Sequence, residues 1–271
     1  MQIDKEHLIA RGRTAEVYQY GPRQVIKLLY NWCPPEWASR EVQIAKLVHS
    51  RGLPVPKCEG LVEHDGRQGV IFERAQGPSM FSVIGRKPWT MKKNWTLLAE
   101  LHARIHSQDG NGFASLHQNL QHRISSSRWV PQDIRAPVLS LLAGLEDGTS
   151  LCHFDFHPDQ VVLSSSGPII LDWMTAFRGA AAADLARTMV IMTFGIPPDP
   201  SWLMQQGIRL ARVSFRRHYL REYNRLQPAV DRQAVENWMV PVAAARLTEE
   251  IEAEREALLA FLRQRLQTAG A

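Results

Sequence analysis

The hydrophobic pattern of the first 73 residues is that of β-strands. Short runs rich in β-branched and aromatic residues are separated by turn sequences at Gly21–Pro22 and Asp65–Gly66. One helix interrupts them, from about Pro34 to about Ser50, where Arg51–Gly52 stops it. The predicted order is three strands, one helix and two strands. The strand runs are HLIARG, AEVYQY, QVIKLLY, LVEH and GVIFE.

Beyond residue 78 the apolar residues recur at helical spacing over long segments. One β interruption, LCHFDFHPDQVVLSSSGPIILDW, contains two apolar strands around a turn at Ser164–Gly167. The pattern therefore predicts a mostly helical second half with one embedded hairpin. The clearest helical segments are Trp95–Ile105, Trp202–Tyr223 and Trp238–Gln267.

These patterns predict a β-rich lobe at 1–73 and a helical lobe at 79–271, joined by a connector at 74–78. With 271 residues, of which 45% are hydrophobic, the chain is long enough to bury a full core.

No apolar stretch approaches the ~20 residues that a bilayer span needs. The opening MQIDKEH carries acids where a signal peptide has basic and then apolar residues. We therefore expect a cytoplasmic protein with no membrane partner, either a monomer or a homodimer.

The net charge of +5 comes from basic residues that alternate with acidic ones along the chain. No nucleic-acid-binding module is recognisable, so a small phosphate-bearing ligand such as ATP explains the excess better than nucleic acid does. Cys33, Cys58 and Cys152 lack the spacing of a zinc site or a disulfide framework. They are expected to be reduced residues of the core.

The segment CHFDFHPDQ, at 152–160, concentrates titratable side chains in a loop between two apolar strands. Such groups are costly to bury unless they are paired or used. Asp155 is placed to accept a proton from a substrate hydroxyl. Asp172 ends the strand IILD and is expected to return beside the loop across a hairpin, where it and the amide oxygen of Gln160 suit a cation.

HFDFHPDQ followed by IILDW resembles the HGDxHxxN and IDW motifs of the aminoglycoside phosphotransferases, choline kinases and their relatives. The resemblance implies an α+β, two-lobed protein kinase-like fold, with a small antiparallel sheet and one helix in the N-terminal lobe and a mostly helical C-terminal lobe. It implies that Asp155 is the catalytic base and that His153 braces the loop. It also implies that Gln160 and Asp172 bind Mg²⁺.

GAAAADLAR resembles the family segment that follows the metal-binding aspartate. The resemblance implies that Asp184 anchors the catalytic loop as structural support rather than taking part in the chemistry. Asp184 is also expected to cap a helix that begins at Leu185.

The N-terminal strands supply a second match, because IARGRTAEVYQYG followed by QVIKLL resembles the hairpin and the strand lysine that cover and grip ATP phosphates. By this likeness Lys27 binds phosphate and pairs with Glu41 of the helix, with Glu36 as the alternative partner. As an ion pair at a cleft, Lys27 is expected to add little to folding stability. The other implied nucleotide contacts are Gly12, Arg13, Thr14 and Val17 in the hairpin and Glu73 and Ala75 at the connector.

The chain is thus predicted to transfer the γ-phosphoryl group of ATP, with Mg²⁺, to a hydroxyl of a small molecule. The family's metal-binding asparagine is Gln160 here, one methylene longer, so a regulatory module that binds ATP without transfer is an alternative. A metal-dependent hydrolase with His153, Asp155, His157 and Asp172 as ligands is another alternative. Aminoglycosides, amino alcohols and sugars all stay open as acceptors, although the positive net charge favours a metabolic role over the binding of a polycationic antibiotic.

Two further features are interpreted as structural. His102 and His106 lie one helical turn apart, a spacing that can ligate zinc, but no third ligand is apparent and helix packing is expected. The acidic run at 249–256 is expected to lie on a solvated helix face, with an alternative in which it faces a cationic substrate.

Overall fold

The computed structural model describes residues 7–195 and 202–269. The chain divides into two compact units. The first contains the residues up to Arg86 together with Pro158–Thr175, and the second contains Lys87–His157 and the residues from Ala176 onward. Residues 1–6, on which the signal-peptide prediction rests, lie outside the described residues. The lobe limits predicted from the sequence stay a prediction.

Strands dominate the first 73 residues and helices the later part of the described chain, as the hydrophobic pattern predicts. In chain order the elements are β1 (Leu8–Arg11), β2 (Ala15–Gln19), β3 (Gln24–Leu29), α1 (Glu36–Ser50), β4 (Cys58–His64), β5 (Arg67–Glu73), α2 (Met80–Arg86), α3 (Met91–His106), α4 (Leu116–Ser126), α5 (Gln132–Ala143), β6 (Ser150–Cys152), β7 (Val161–Ser164), β8 (Gly167–Ile170), β9 (Phe177–Gly179), α6 (Ala181–Phe194), α7 (Trp202–Leu226), α8 (Arg232–Leu247) and α9 (Glu252–Ala269).

The first unit is built on an antiparallel five-stranded sheet with the spatial order β1-β2-β3-β5-β4. The predicted turn between β4 and β5 is present. Asp65 and Gly66 both adopt positive φ, 49° and 71°, which a two-residue hairpin of this chemistry requires. The five strands predicted from the hydrophobic runs are therefore confirmed.

Helix α1 packs on one face of this sheet. Leu29 and Val70 of the sheet share a hydrophobic cluster with the apolar residues of the helix. The helix ends as predicted, because Gly52 takes φ 69° directly after it. Four of the buried positions of α1 follow the i, i+3, i+4, i+7 spacing of one helix face: Ala38, Glu41, Val42 and Ala45.

The first unit also contains a hairpin formed by β7 and β8, in which Val161 lies opposite Ile170. Short 3₁₀ turns flank this hairpin at Pro158–Gln160 and at Trp173–Thr175. Helix α1 packs against the second turn, in which Trp173 is buried. The embedded hairpin predicted from the sequence is therefore present, and it belongs to the same compact unit as the sheet.

The second unit is mostly helical, with one short ladder between β6 and β9. The helical pattern over 238–267 is not one helix but two, α8 and α9, because Glu250 adopts φ 58° between them and an α-helix does not continue through that conformation. None of the helices in the described ranges is long and apolar enough to serve as a membrane span. The three cysteines are buried and free, as predicted.

The acidic run at 249–256 is not a continuous solvated helix face, so that interpretation is wrong for two of its members. Glu254 is only 3% exposed, and its carboxylate lies 2.7 Å from Nε of Arg246. Glu249, in the loop between α8 and α9, forms ion pairs with Arg123, Arg187 and Arg246. The break between the two helices turns these acids toward arginines of the same unit.

Candidate active site

Lys27, in the middle of β3, lies between two carboxylates of the first unit. Its Nζ is 2.7 Å from Oε1 of Glu41 and 3.0 Å from Oδ1 of Asp172. Side chains alternate along a strand, so Lys27 points to the same face of the sheet as Leu29, the face that α1 covers. Glu41 lies on the buried face of α1. The predicted pair is therefore present, with Glu41 and not Glu36 as the partner.

Burial has opposite consequences for the two members of this pair. Burial raises the pKa of the Glu41 carboxyl, and nearby Lys27 only partly offsets this effect. Burial opposes the charge on Lys27, but the charges of Asp172 and Glu41 outweigh it and raise the pKa of the ammonium. Lys27 is thus held as a cation at neutral pH.

Asp172 and Gln160 are brought together by the β7–β8 hairpin. The N–H of Leu171 donates to the backbone oxygen of Gln160 at 2.8 Å, which continues the ladder by one step beyond Val161 and Ile170. Asp172 follows at once and adopts φ 55°, a conformation that is uncommon outside glycine. The indole N–H of Trp173 donates to the Ile170 carbonyl at 3.2 Å and fixes the turn that follows.

The predicted phosphate hairpin is the β1–β2 turn. The N–H of Gly12 donates to the Ala15 carbonyl at 2.8 Å, so the turn is closed by the backbone. Arg13 is exposed at its tip, and Thr14 is half-buried. Val17 lies directly opposite Lys27 in the register of β2 and β3. Five predicted nucleotide contacts therefore lie in the β1–β2 turn and the two strands that follow it: Gly12, Arg13, Thr14, Val17 and Lys27.

Two backbone amides, one at the end of β5 and one at the start of the connector, already donate hydrogen bonds. The N–H of Glu73 donates to the Lys57 carbonyl at 2.8 Å, and the N–H of Arg74 donates to the Arg23 carbonyl at 2.8 Å. The Arg74 guanidinium also donates to the Gln19 side chain at 2.9 Å. These bonds tie the end of β5 to neighbouring segments of the first unit and leave Ala75 as the next backbone donor in the chain.

The loop that carries Asp155 belongs to the second unit, where Asp184 holds its backbone. The Asp184 carboxylate accepts the N–H of His153 at 2.6 Å and the N–H of Phe154 at 2.9 Å. Asp184 lies inside α6, which begins at Ala181, so the prediction that it caps a helix starting at Leu185 is wrong. Its buried carboxylate reaches the loop and not the end of its own helix.

Two more residues of α6 hold the same loop. Arg187 Nε donates to the Phe154 carbonyl at 3.1 Å, and the Thr188 hydroxyl donates to the Phe156 carbonyl at 2.8 Å. Phe154 itself adopts φ 61°. A non-glycine residue in this region costs about 1–3 kcal/mol unless its surroundings impose it. The contacts from α6 supply that constraint.

Asp155 is about one quarter exposed, and Arg187 is its cationic neighbour within the second unit. Nη2 of Arg187 lies 3.4 Å from Oδ1 of Asp155 and 2.7 Å from Oε1 of Glu249. Nε2 of His157 is 3.9 Å from Oδ2 of Asp155. His153 is fully buried, and its Nδ1 accepts the Asp155 N–H at 3.3 Å. That nitrogen is therefore engaged by the backbone of its own loop.

Comparison with known families agrees with the motif resemblance. Residues 33–223, more than half of the chain, match the family described as the phosphotransferase enzyme family, APH. The chain belongs to the phosphotransferase enzyme family. A comparison with curated proteins gives no match.

The solved structures similar to this chain include antibiotic kinases of low sequence identity. An aminoglycoside-3′-phosphotransferase of type VIII is 18% identical with a TM-score of 0.65, and the match covers 92% of this chain and 93% of that one. An amicoumacin kinase is 12% identical with a TM-score of 0.63, covering 98% and 90%. A variant of the aminoglycoside phosphotransferase APH(4)-Ia is 16% identical with a TM-score of 0.64, covering 96% and 91%. The predicted α+β, protein kinase-like fold is confirmed.

Several residues at the site of this phosphotransferase were not predicted from its sequence. Arg187, Thr188 and Glu249 reach the Asp155 loop or its neighbour, and each is distant from that loop in sequence. The only signal was the helical position of Arg187 and Thr188, three and four residues after Asp184. One face of a helix that begins with a loop anchor is expected to present its next turn to the same loop.

Proposed function

We propose that this chain transfers the γ-phosphoryl group of ATP to a hydroxyl of a small molecule with the help of Mg²⁺. The observation that carries the proposal is the position of Lys27 between Glu41 and Asp172. A buried strand lysine that is kept charged beside a helix glutamate and a loop aspartate is the arrangement used to grip nucleotide phosphates.

The first unit would supply the nucleotide contacts. Lys27 would bind phosphate oxygens, and backbone N–H groups of Arg13 and Thr14 at the hairpin tip would cover them. Val17, opposite Lys27, would contact the base or ribose. Ala75 would donate to the adenine edge, because the Glu73 and Arg74 amides are already used. Similar structures are described as complexes with AMP-PNP, ADP or GDP, so the test below includes both ATP and GTP.

Asp172 and Gln160 would hold Mg²⁺. The donor set fits this ion, because a carboxylate and a neutral amide oxygen are ligands that Mg²⁺ accepts, and the hairpin bond between Leu171 and Gln160 joins their backbones. When bound, the ion neutralises charge on the phosphate oxygens. Glutamine in place of the family's asparagine requires the backbone or the ion to shift by about one methylene.

Asp155 would act as the base. The acceptor oxygen forms a bond to the γ-phosphorus, the bond from that phosphorus to the β–γ bridging oxygen breaks, and ADP leaves with the electron pair. The acceptor proton passes to the Asp155 carboxylate. Asp184, Arg187 and Thr188 would keep the loop in the geometry this transfer needs, because they hydrogen-bond to its backbone at His153, Phe154 and Phe156.

The acceptor would be a small hydroxylated compound. Similar structures are described as complexes with hygromycin B, kanamycin or streptomycin, which are themselves hydroxylated small molecules. In this chain, however, Glu249 and Glu254 are engaged by arginines. Those two acids are therefore less suited to binding a polycation than a free acidic surface would be.

The proposal is tested by measuring ADP or GDP release over a panel of aminoglycosides, amino alcohols and sugars, with Mg²⁺ and either ATP or GTP. The expected result is nucleotide consumption that depends on one class of acceptor and yields a phosphorylated product by mass spectrometry. The Asp155→Asn variant serves as the matched control. Failure of the wild-type protein to bind any nucleotide would overturn the proposal, and nucleotide binding without transfer to any acceptor would favour the regulatory alternative.

A further inference from the structure

A buried cluster of two histidines, two tyrosines and one aspartate lies in the second unit. Nε2 of His106 and of His102 are each 3.1 Å from Oδ2 of Asp184. The Tyr223 hydroxyl lies 2.7 Å from Nδ1 of His106, and the Tyr219 hydroxyl lies 2.5 Å from Nδ1 of His102. All five side chains are buried. Asp184 is thus a third polar group beside His102 and His106, and the i, i+4 spacing of the two histidines did not reveal it.

Hydrogen bonding accounts for this cluster better than a metal ion does. His106 Nε2 and Asp184 Oδ2, 3.1 Å apart, meet the distance and angle of a hydrogen bond. Both oxygens of the Asp184 carboxylate also accept backbone amides, Oδ2 from His153 at 2.6 Å and Oδ1 from Phe154 at 2.9 Å. Hydrogen bonds therefore already engage the carboxylate that a metal ion would need as a ligand.

The direction of each hydrogen bond follows from the ionised carboxylate. Burial raises the pKa of Asp184, but the neighbouring His102 and His106 outweigh burial, and the pKa lies well below its usual value. An ionised carboxylate only accepts. His106 therefore carries its proton on Nε2 and donates it to Asp184, which leaves Nδ1 to accept from the Tyr223 hydroxyl.

Only one of the two histidines links a tyrosine hydroxyl to Asp184 by hydrogen bonds at both ring nitrogens. His106 Nε2 meets hydrogen-bond geometry to Asp184, whereas His102 Nε2 lies at the same 3.1 Å from Oδ2 without meeting that geometry, so its attraction to the carboxylate is mainly electrostatic. The two Tyr–His pairs are otherwise alike, because both join α7 to α3. The chain therefore offers a matched comparison of a pair that reaches Asp184 by a hydrogen bond and a pair that does not.

We propose that His106, held by Tyr223, is a positioning residue for the loop that carries Asp155. Its Nε2–H fixes the Asp184 carboxylate so that Oδ2 accepts the His153 amide and Oδ1 accepts the Phe154 amide. The catalytic importance of this loop rests on the proposed function. The positioning role of His106 is tested by amide exchange without substrate, so its failure can be told apart from failure of the proposed function.

The test is amide hydrogen exchange by NMR on the full chain without ligand, read at His153 and Phe154. We expect His106→Leu and Tyr223→Phe to raise exchange at both amides, by about ten-fold for His106→Leu, the factor that corresponds to one ordinary hydrogen bond. His106→Gln keeps an N–H donor near the Nε2 position and is expected to restore protection. Tyr219→Phe is the control and is expected to raise exchange at both amides less than Tyr223→Phe does, because His102 does not meet hydrogen-bond geometry to Asp184.

Four results would overturn the proposal. The first is unchanged exchange at His153 and Phe154 in Tyr223→Phe, a variant that loses one hydroxyl and keeps its ring in place. The second is equal exchange in His106→Gln and His106→Leu when both fold. The third is one equivalent of Zn²⁺ in the purified wild-type protein that is lost in His106→Gln, because the cluster would then be a metal site. Ring-nitrogen NMR is expected to show the Nε2–H tautomer of His106, and the Nδ1–H tautomer would contradict it.

Discussion

Lys27 and Asp172, which are 145 positions apart in the chain, form an ion pair of 3.0 Å in the first unit. In the proposed function Lys27 binds phosphate and Asp172 binds Mg²⁺. When Mg·ATP binds as proposed, contacts to phosphate and metal would replace the contact between these two side chains. Glu41 keeps Lys27 in place on the other side at 2.7 Å.

Lys27→Met is expected to abolish the stabilisation by nucleotide and also to destabilise the fold. Saturating ligand at a hundred times its dissociation constant adds about 2.7 kcal/mol to the wild-type protein. Removing Lys27 leaves Glu41 buried and without its cation, which costs about 3–5 kcal/mol. The expectation from the sequence that Lys27 adds little to stability is therefore revised, because Glu41 is buried and the Lys27 side chain is only 15% exposed.

Urea unfolding with and without Mg·ATP measures both effects. The double variant Lys27→Met/Glu41→Gln is the control and is expected to recover much of the stability without recovering nucleotide binding. A single variant that unfolds like the wild-type protein would show that the pair contributes no more than an exposed ion pair.

Gln160→Asn tests the departure from the family motif. If Gln160 is a metal ligand, the shorter amide is expected to preserve or raise turnover and to lower the Mg²⁺ concentration needed for half-maximal rate, since Mg²⁺ demands near-octahedral geometry. Gln160→Ala removes the oxygen and is expected to raise that concentration. Identical Mg²⁺ dependence in wild type and Gln160→Ala would rule out a ligand role for this residue.

Arg187→Gln is expected to lower turnover by about 100-fold, the order of loss caused by a small misplacement of a reacting group. Arg187 bonds to the Phe154 carbonyl and lies beside Asp155, so its loss frees the loop. The Michaelis constant for ATP is expected to stay unchanged. Arg123→Gln is the matched control, because Arg123 also pairs with Glu249, at 3.2 Å. Equal turnover in the two variants would assign the effect to Glu249 alone.

The lowered pKa of His102 predicts a loss of folding stability in mild acid. Burial and the neighbouring His106 lower the pKa of His102 from 6.5 to about 4 in the folded state. The folding stability that depends on neutral His102 is therefore fully present above pH 6.5. It is lost as the pH falls toward 4, because His102 takes up its proton in the unfolded state before it does so in the folded state. The full effect is about 3 kcal/mol. Asp184 and His153 also face this ring, so the contribution belongs to the group.

The measurement is the free energy of unfolding in urea between pH 7 and pH 4. His102→Gln is expected to flatten the dependence between pH 6.5 and pH 4, while the slope caused by carboxylates elsewhere remains. The same slope in the wild-type protein and in His102→Gln would show that His102 does not resist protonation in the fold.

Local patterns made part of the site predictable. The alternation of β3 and the helical spacing of α1 place Lys27 and Glu41 on facing surfaces, and the apolar strands around Ser164–Gly167 predict the hairpin that places Asp172 near Gln160. These inferences use periods of two and 3.6 residues, which the sequence displays directly.

The contacts of α6 were not predictable in the same way. Asp184 precedes a helical run, so its residue type suggested a cap, but the helix begins earlier and the carboxylate bonds to a loop that lies about 30 residues back in the chain. The prediction that the acidic run at 249–256 forms a solvated helix face was wrong for a similar reason. A single residue with positive φ, Glu250, divides the pattern and redirects its neighbours. Tertiary contacts decide both cases, and spacing carries no signal of them.

Asp155→Asn tests the central claim most directly. The amide cannot take the acceptor proton, so we expect turnover to fall by about 100-fold or more, with stabilisation by Mg·ATP and the melting temperature close to those of the wild-type protein. The measurement is ATP-dependent phosphorylation of the acceptor found in the screen, followed by mass spectrometry beside a thermal scan with nucleotide. Loss of transfer with retained nucleotide binding is the predicted result, and transfer at the wild-type rate would contradict the assignment of Asp155 as the base.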